Sequence, residues 1–345
     1  MNFSSTKLEP GEKPIVVAEI SGNHGNRVEN IEELMRKIKE SGVDFVKLQT
    51  YTPDRITLNS KKSSFVVQSG LWAGKSLFQL YSQGATPNSW LPRLFHLAKD
   101  LEITLFSSPF SPEDVEILEK FDCPIYKIAS LEITYTQLLK SVAETGKPVI
   151  MSTGGATLEE IQYAIETLTL HGTKSLILLK CSPTYPAQLE DLNLNTISFL
   201  REKFQIPIGF SDHTEGSVAA LIATALGAVV IEKHLKLDED VDSVDAQFAL
   251  KVSMLSSFVE QVHAACESMG QVKVGPTDSE IETLKYRRSI IAKEDMSRGD
   301  VIDIEKLAIV RPYIGMNPKD LDLVLGKKLK FNIERGEGLT REFLE

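Results

Sequence analysis

At 345 residues the chain exceeds one average domain, and a barrel of about 250 residues followed by a small second domain accounts for its length. With 42% hydrophobic and 25% charged residues it is an ordinary globular protein, and a net charge of -10 without any basic run argues against a nucleic-acid partner while leaving room for an anionic substrate in a local basic pocket. Cys123, Cys181 and Cys266 are far apart and form no CxxC, the polar N-terminal stretch has no apolar core, and no run is long enough to span a bilayer, so a disulfide framework, a signal peptide and a membrane partner are not expected and the cytoplasm is the default compartment.

The first element is the β-branched run 15–20, IVVAEI, followed by the polar turn Ser21-Gly22-Asn23-His24-Gly25 and a helix over about 28–41. A second strand is expected over 44–49, with Phe45, Lys47 and Gln49 on one face. A lysine pointing into a barrel needs an anionic partner, unless it snorkels to solvent from the strand end. The excursion over about 51–87, carrying Trp72 and Tyr81, has the length and position of a substrate-covering element. After it come a helix at 90–99, a strand at 103–107, and Ser111-Pro112-Glu113-Asp114, an N-cap, a first-turn proline and two acids that require a helix start.

Strands are then expected at 124–129, 148–152 and 175–179, each closing on polar residues: Lys127, Ser130 and Glu132 on the first, Ser152 on the second, Ser182 on the third. Thr157 and Glu160 read as a capping box for the helix between the second and third. The stretch 207–237 is strand, polar turn, amphipathic helix and strand. Alternation there puts Ser211 with His213 and Glu232 with His234, both histidines at the carboxyl ends of neighbouring parallel strands. Eight strands alternating with helices make a TIM-type (β/α)8 barrel, residues 1–270. Residues 271–286 read as a linker, and 287–345, with short β-branched runs between Gly-containing turns, as a small β-rich domain.

The strand ends collect two lysines and several hydroxyls, an anion pocket, beside two histidines able to hold a divalent metal and leave its other positions open. The alternatives are histidines satisfied by backbone or carboxylate partners, and a Schiff-base lysine at Lys47 or Lys127 that would give the histidine pair no task. His96, His171 and His263 fall away from the cluster and read as structural or surface.

The motifs AEISGNHG at 18–25, KLQTYTPD at 47–54, YKIAS at 126–130, MSTG at 151–154, SDHTEG at 211–216 and EKH at 232–234 resemble the sialic acid synthase family of nonulosonate synthases, over nearly the whole chain and in the family's order. The tail, with GDVI and LGKKLKFNIERGEGLT, is similar to that family's SAF, or antifreeze-like, domain. KLQTYTPD together with GLWAGKSLFQLY at 70–81 is most like the pseudaminate branch; the legionaminate and N-acetylneuraminate branches are the alternatives within the family. A non-catalytic carbohydrate-binding protein on the same scaffold is the alternative outside it.

The resemblance implies a transferase that condenses phosphoenolpyruvate with an open-chain amino sugar aldehyde, releasing phosphate by C–O cleavage and using Mn2+ or Mg2+. It implies that Lys47, Ser108, Lys127, Ser130 and Ser211 bind phosphoenolpyruvate and that His213 and His234 hold the metal. It further implies that Gln49, Glu132, Tyr185 and Asp245 face the sugar or the metal's water, with Glu19 handling the water's proton. It also implies a homodimer in which the SAF domain of one subunit covers its partner's active site and supplies Arg311 to the sugar. Three departures from the family pattern are Tyr313 after Arg311-Pro312, Ser243-Val244 before Asp245, and Pro183 in the CSPTYP turn.

Overall fold

The computed structural model describes residues 8–43, 45–239, 241 and 243–345. Eight parallel strands form the scaffold: β1 Ile15–Glu19, β2 Phe45–Thr50, β3 Thr104–Pro109, β4 Tyr126–Ile128, β5 Val149–Ser152, β6 Leu176–Cys181, β7 Ile208–Asp212 and β8 Val230–Lys236. Each pairs with the next and β8 returns to β1, so the sheet closes as a barrel. A two-residue strand, β9 Leu250–Lys251, adds to β8 beyond the closure. Asp44, placed at the start of the second strand from sequence, lies outside the described residues.

The helices cover the outside because each buries one apolar stripe. In α1, Val28–Glu40, the residues at helical spacing, Ile31, Leu34, Met35 and Ile38, are fully buried while the charged positions between them face out. The expected start signals are present: Ser111 caps α2, Pro112–Glu119, by accepting from the Asp114 amide, and Thr157 and Glu160 form both halves of a capping box on α3, Leu158–Leu170. Among the described residues no helix is long and apolar enough to cross a membrane.

Closure fixes which residues meet. Register sets Glu19 opposite Lys47 on one side and His234 on the other, Gln49 opposite Ser108, and Ser211 opposite both Cys181 and Glu232. The polar strand ends are thereby gathered at one rim, the carboxyl end, where parallel barrels keep their chemistry.

The chain divides into two compact units, the second being Gln271–Glu345. That unit has its own apolar core, with Ile290, Ile302, Val324, Leu329, Ile333 and Leu339 all but fully buried, under the antiparallel pair β10 Ser289–Ala292 and β11 Leu307–Val310. The stretch expected to be only a linker holds a helical turn, Asp278–Ile281, opened by a capping box of Thr277 and Glu280. That signal, Ser or Thr followed three residues on by Glu, stands in the sequence.

Candidate active site

Two layers make up the rim site. The floor is a buried set of charges. Lys47 Nζ lies 2.5 Å from Glu19 Oε2, 3.7 Å from Glu232 Oε2 and 3.4 Å from Ser108 Oγ. Lys127 Nζ donates to Ser152 Oγ at 2.6 Å and stands 3.8 Å from Glu232 Oε1, which also accepts from Ser211 Oγ at 2.9 Å. Two ammonium groups thus balance two carboxylates, and the inward lysine is paired rather than snorkelling.

Burial pushes Glu19 up to about 7, with Lys47 pulling it back and Glu232 adding to the rise. Burial acts on Glu232 in the same sense, but Lys127 and Lys47 outweigh it and hold that carboxyl below its ordinary value. Burial lowers Lys127, whereas Glu19 and Glu232 keep Lys47 raised despite its own desolvation. The two carboxylates therefore differ in kind: Glu232 is the fixed counter-charge of both lysines, and Glu19 sits where a proton can come and go near neutral pH.

Beside the floor the histidine rings lie 5.2 Å apart, centroid to centroid. Desolvation holds His213 down to about 4 and His234 well below its usual value, so both imidazoles are neutral. His213 Nδ1 lies 2.8 Å from the Ser182 carbonyl, an acceptor only, so that nitrogen carries the proton and Nε2 presents its lone pair. His234 Nδ1 is buried without a hydrogen-bond partner, 3.8 Å from Asp245 Oδ2.

Among the described residues no cluster of three or more His, Cys, Asp or Glu is arranged to hold a metal. A two-imidazole site is nevertheless what this donor set offers: neutral rings, one tautomer fixed from behind, and an orphaned nitrogen. Glu19 Oε1 and Glu232 Oε2 are likewise buried without hydrogen-bond partners, Glu232 Oε2 facing Lys47 only at 3.7 Å, so several of the unmet polar atoms among the described residues lie at this spot. These residues fit a divalent ion held by His213 and His234.

Above the floor is a cavity of about 320 Å³ reached by His213, His234, Gln49, Ser130, Glu132, Tyr185 and Asp245. Ser130 Oγ accepts from the Gly154 amide at 3.1 Å, which turns the serine toward β5. Desolvation raises Glu132 to about 7, against the pull of Lys127. Asp245 is buried and accepts from the Gly22 amide at 3.4 Å; desolvation raises it too. The structure therefore brings twelve of the thirteen expected site residues to one place; the thirteenth, Arg311, lies in the second unit. There it is exposed, precedes a cis-proline, and lines a separate cavity with Arg287, Arg288 and Tyr286.

The NeuB family model matches residues 34–274, and the SAF domain model matches residues 287–345. The chain belongs to the NeuB family. A pseudaminic acid synthase from Campylobacter jejuni is 38% identical over 338 residues, covering 98% of this chain and 97% of its own. An N,N'-diacetyllegionaminic acid synthase from Legionella pneumophila is 30% identical, covering 96% of this chain and 94% of its own. The crystal structure of an N-acetylneuraminic acid synthetase from Leptospira borgpetersenii, in complex with citrate, superposes with a TM-score of 0.72 at 26% identity over 83% of this chain and 95% of that one.

The NeuB site also uses residues to which the sequence assigned no role. Ser152 and Glu232 were visible as rim residues but carried no assigned role, and the floor shows them binding Lys127 and bridging the two lysines. The aromatic wall of the cavity, Tyr51, Trp72, Tyr81 and Phe110, comes mostly from the excursion after β2. Its glycines and aromatics announced a covering element but not which side chains would turn inward.

Proposed function

We propose that this chain is a pseudaminic acid synthase, condensing phosphoenolpyruvate with 2,4-diacetamido-2,4,6-trideoxy-L-altrose. The observation that carries the proposal is the junction of a lysine-rich floor with a neutral histidine pair under one cavity, in a chain whose similarity to pseudaminate synthases runs end to end and exceeds that to a legionaminate synthase.

Lys47 and Lys127, with Ser108, Ser130 and Ser211, hold the phosphate and carboxylate of phosphoenolpyruvate. Charge-assisted bonds from buried ammonium groups are strong, and the serines supply the neutral donors between them. His213 and His234 would hold Mn2+ or Mg2+, whose chemistry when bound is Lewis-acid polarisation of the aldehyde oxygen. The family is generally metal-dependent. C3 of the enol forms a bond to the aldehyde carbon, water adds at C2, and phosphate leaves by C–O cleavage, so the atoms of both substrates and one water appear in the keto acid and phosphate. Glu19 takes the water's proton, a task suited to a carboxyl poised near 7 beside Lys47. Gln49, Glu132, Tyr185 and Asp245 face the sugar.

The proposal extends to a homodimer, in which the SAF unit of one subunit covers its partner's cavity and brings Arg311 to the sugar, and to a cytoplasmic setting that fits three free, buried thiols. Phosphate release from phosphoenolpyruvate with Mn2+ tests the activity, run in parallel with the diacetamido altrose, its legionaminate-pathway counterpart and N-acetylmannosamine. Release with the first alone is the expected result; release with another moves the specificity, and release with none overturns the proposal. The Arg311→Ala variant is expected to raise KM for the sugar and leave that for phosphoenolpyruvate unchanged.

A further inference from the structure

The excursion between β2 and β3 is anchored at a point that the chemistry of the floor does not explain. Residues 66–76 fold back on themselves, with Val66 bridged to Ser76, the Val67 amide donating to the Lys75 carbonyl at 3.0 Å and the Gly74 amide to the Val67 carbonyl at 2.9 Å. At the tip, Trp72 Nε1 donates to the carbonyl of Val244 at 3.0 Å, 172 residues away, and the indole packs on Tyr185 with ring centroids 5.6 Å apart. Tyr185 in turn lies 4.5 Å from the His213 ring. A covering segment is thus tied to the loop that carries Asp245 and stands one ring away from the histidine pair.

Val244 is one of the departures from the family pattern, and its surroundings show what it does. Its side chain fits a slot between Gly22 and Gly84: a Cβ built on Gly22 would lie 2.4 Å from Val244 Cγ2, and one on Gly84 3.2 Å from it. Ser243 Oγ donates to Asn23 Oδ1 at 2.8 Å. The Ser243-Val244 pair is therefore locked to the turn after β1, and its carbonyl offers Trp72 a fixed acceptor.

With its only polar atom engaged, the indole can offer a ligand nothing but its face. It shares the cavity with Tyr81, Phe110, Leu80 and Ile56, so this part of the lining is apolar and aromatic, while Gln49, Glu132 and Asp245 supply the polar part. A fully hydroxylated sugar would leave hydroxyls unmet against such a wall, whereas acetamido methyls and a deoxy carbon gain by burial there. We infer that Trp72 is a specificity-determining residue that selects amino sugars carrying acetamido and deoxy methyl groups over hydroxylated ones. The inference rests on the proposed sugar-condensing activity.

The test uses the full chain and its Trp72→Ala and Trp72→Phe variants, assayed by phosphate release with the diacetamido trideoxy-altrose and with N-acetylmannosamine. Loss of a methyl-sized apolar contact changes discrimination by roughly 10–200-fold. Trp72→Ala is expected to raise KM for the diacetamido sugar at least about tenfold, leave KM for phosphoenolpyruvate within about twofold, and shrink the kcat/KM ratio between the two sugars; Trp72→Phe, which keeps a ring face, should restore most of that ratio. A second reading comes from Trp90→Phe, in which Trp72 is the sole remaining indole of the chain's two. Its fluorescence is expected to respond to the alditol of the diacetamido sugar, which has no aldehyde to react, in the presence of phosphoenolpyruvate and Mn2+.

A diacetamido-selective enzyme whose sugar ratio is untouched by Trp72→Ala, or whose KM values for both substrates rise together, overturns the inference alone. A silent indole at saturating alditol does the same. A wild-type enzyme that prefers N-acetylmannosamine overturns the inference together with the proposed substrate.

Discussion

Lys47 Nζ rests 2.5 Å from Glu19 Oε2, on neighbouring barrel strands whose register sets the two residues directly opposite each other. Both are buried, and the pair explains how an inward lysine is tolerated in a barrel: its charge is met by a carboxylate whose own charge is only loosely held. An incoming phosphate that drew on this ammonium would leave Glu19, poised near 7, free to accept the proton of the attacking water. Lys47→Ala is expected to raise KM for phosphoenolpyruvate by about 10–100-fold, the worth of one charge-assisted bond, with the sugar's KM within about twofold. Initial rates with each substrate varied in turn check this; a rise confined to the sugar would remove Lys47 from the anion site.

Behind the histidines, on the helix-facing side of the same strands, Lys233 Nζ donates to Asp212 Oδ2 at 2.9 Å and to the Thr214 carbonyl at 2.5 Å, while Asp212 Oδ1 accepts from the Thr214 amide and hydroxyl. Both charged residues are essentially inaccessible and flank His213 and His234 in sequence. Removing one partner strands the other in the core, so Lys233→Met is expected to cost about 3–5 kcal/mol of stability. Replacing both, Lys233→Met with Asp212→Asn, should cost less than the single change. Urea denaturation of the three proteins decides it, and a single variant as stable as the parent would show that the pair bears little.

Glu132 links stability to pH. Desolvation raises its carboxyl from the usual range to about 7, so the folded chain binds a proton that the unfolded chain has released. Between about pH 4.5 and 7 the native state holds more protons, and the contribution of this group is therefore complete below about 4.5 and is lost as pH rises through 7, with a slope of at most about 1.4 kcal/mol per pH unit. Glu132→Gln should flatten that part of the stability profile. Chemical denaturation midpoints at half-unit pH intervals, compared between parent and variant, measure the difference; identical slopes would contradict it.

Much of this site was legible because strand alternation and strand ends are local properties. Ser211 shares a face with His213, and Glu232 with His234, by spacing alone, and the pairing of the two strands sets Ser211 beside Glu232. What the pattern did not show arises from pairing across distance. The strand expected to end at His234 runs on to Lys236, because a lysine there looks solvated until the structure supplies the Ala246 carbonyl as its partner, just as Asp212 meets Lys233. Residues 175–179 likewise extend to Cys181, where Lys180 interrupts the apolar run. Trp72 and Val244 have no local signal for each other, and only the folded excursion brings them together.

His234 is the residue on which the metal assignment turns. Its ring is buried, neutral and lacks a hydrogen-bond partner at Nδ1, a cost that a protein keeps only where something else satisfies the group. Alanine there removes an unmet polar atom and leaves a cavity, so the fold should survive the exchange; the far-ultraviolet circular dichroism and the cooperativity of unfolding are expected to match the parent. Turnover should be abolished, and calorimetric titration with Mn2+ should show affinity reduced by at least about tenfold, whereas His96→Ala, on an exposed helical face, should alter neither. Full activity in His234→Ala, or unchanged Mn2+ affinity, would take the metal away from this pair and return the histidines to a purely structural role.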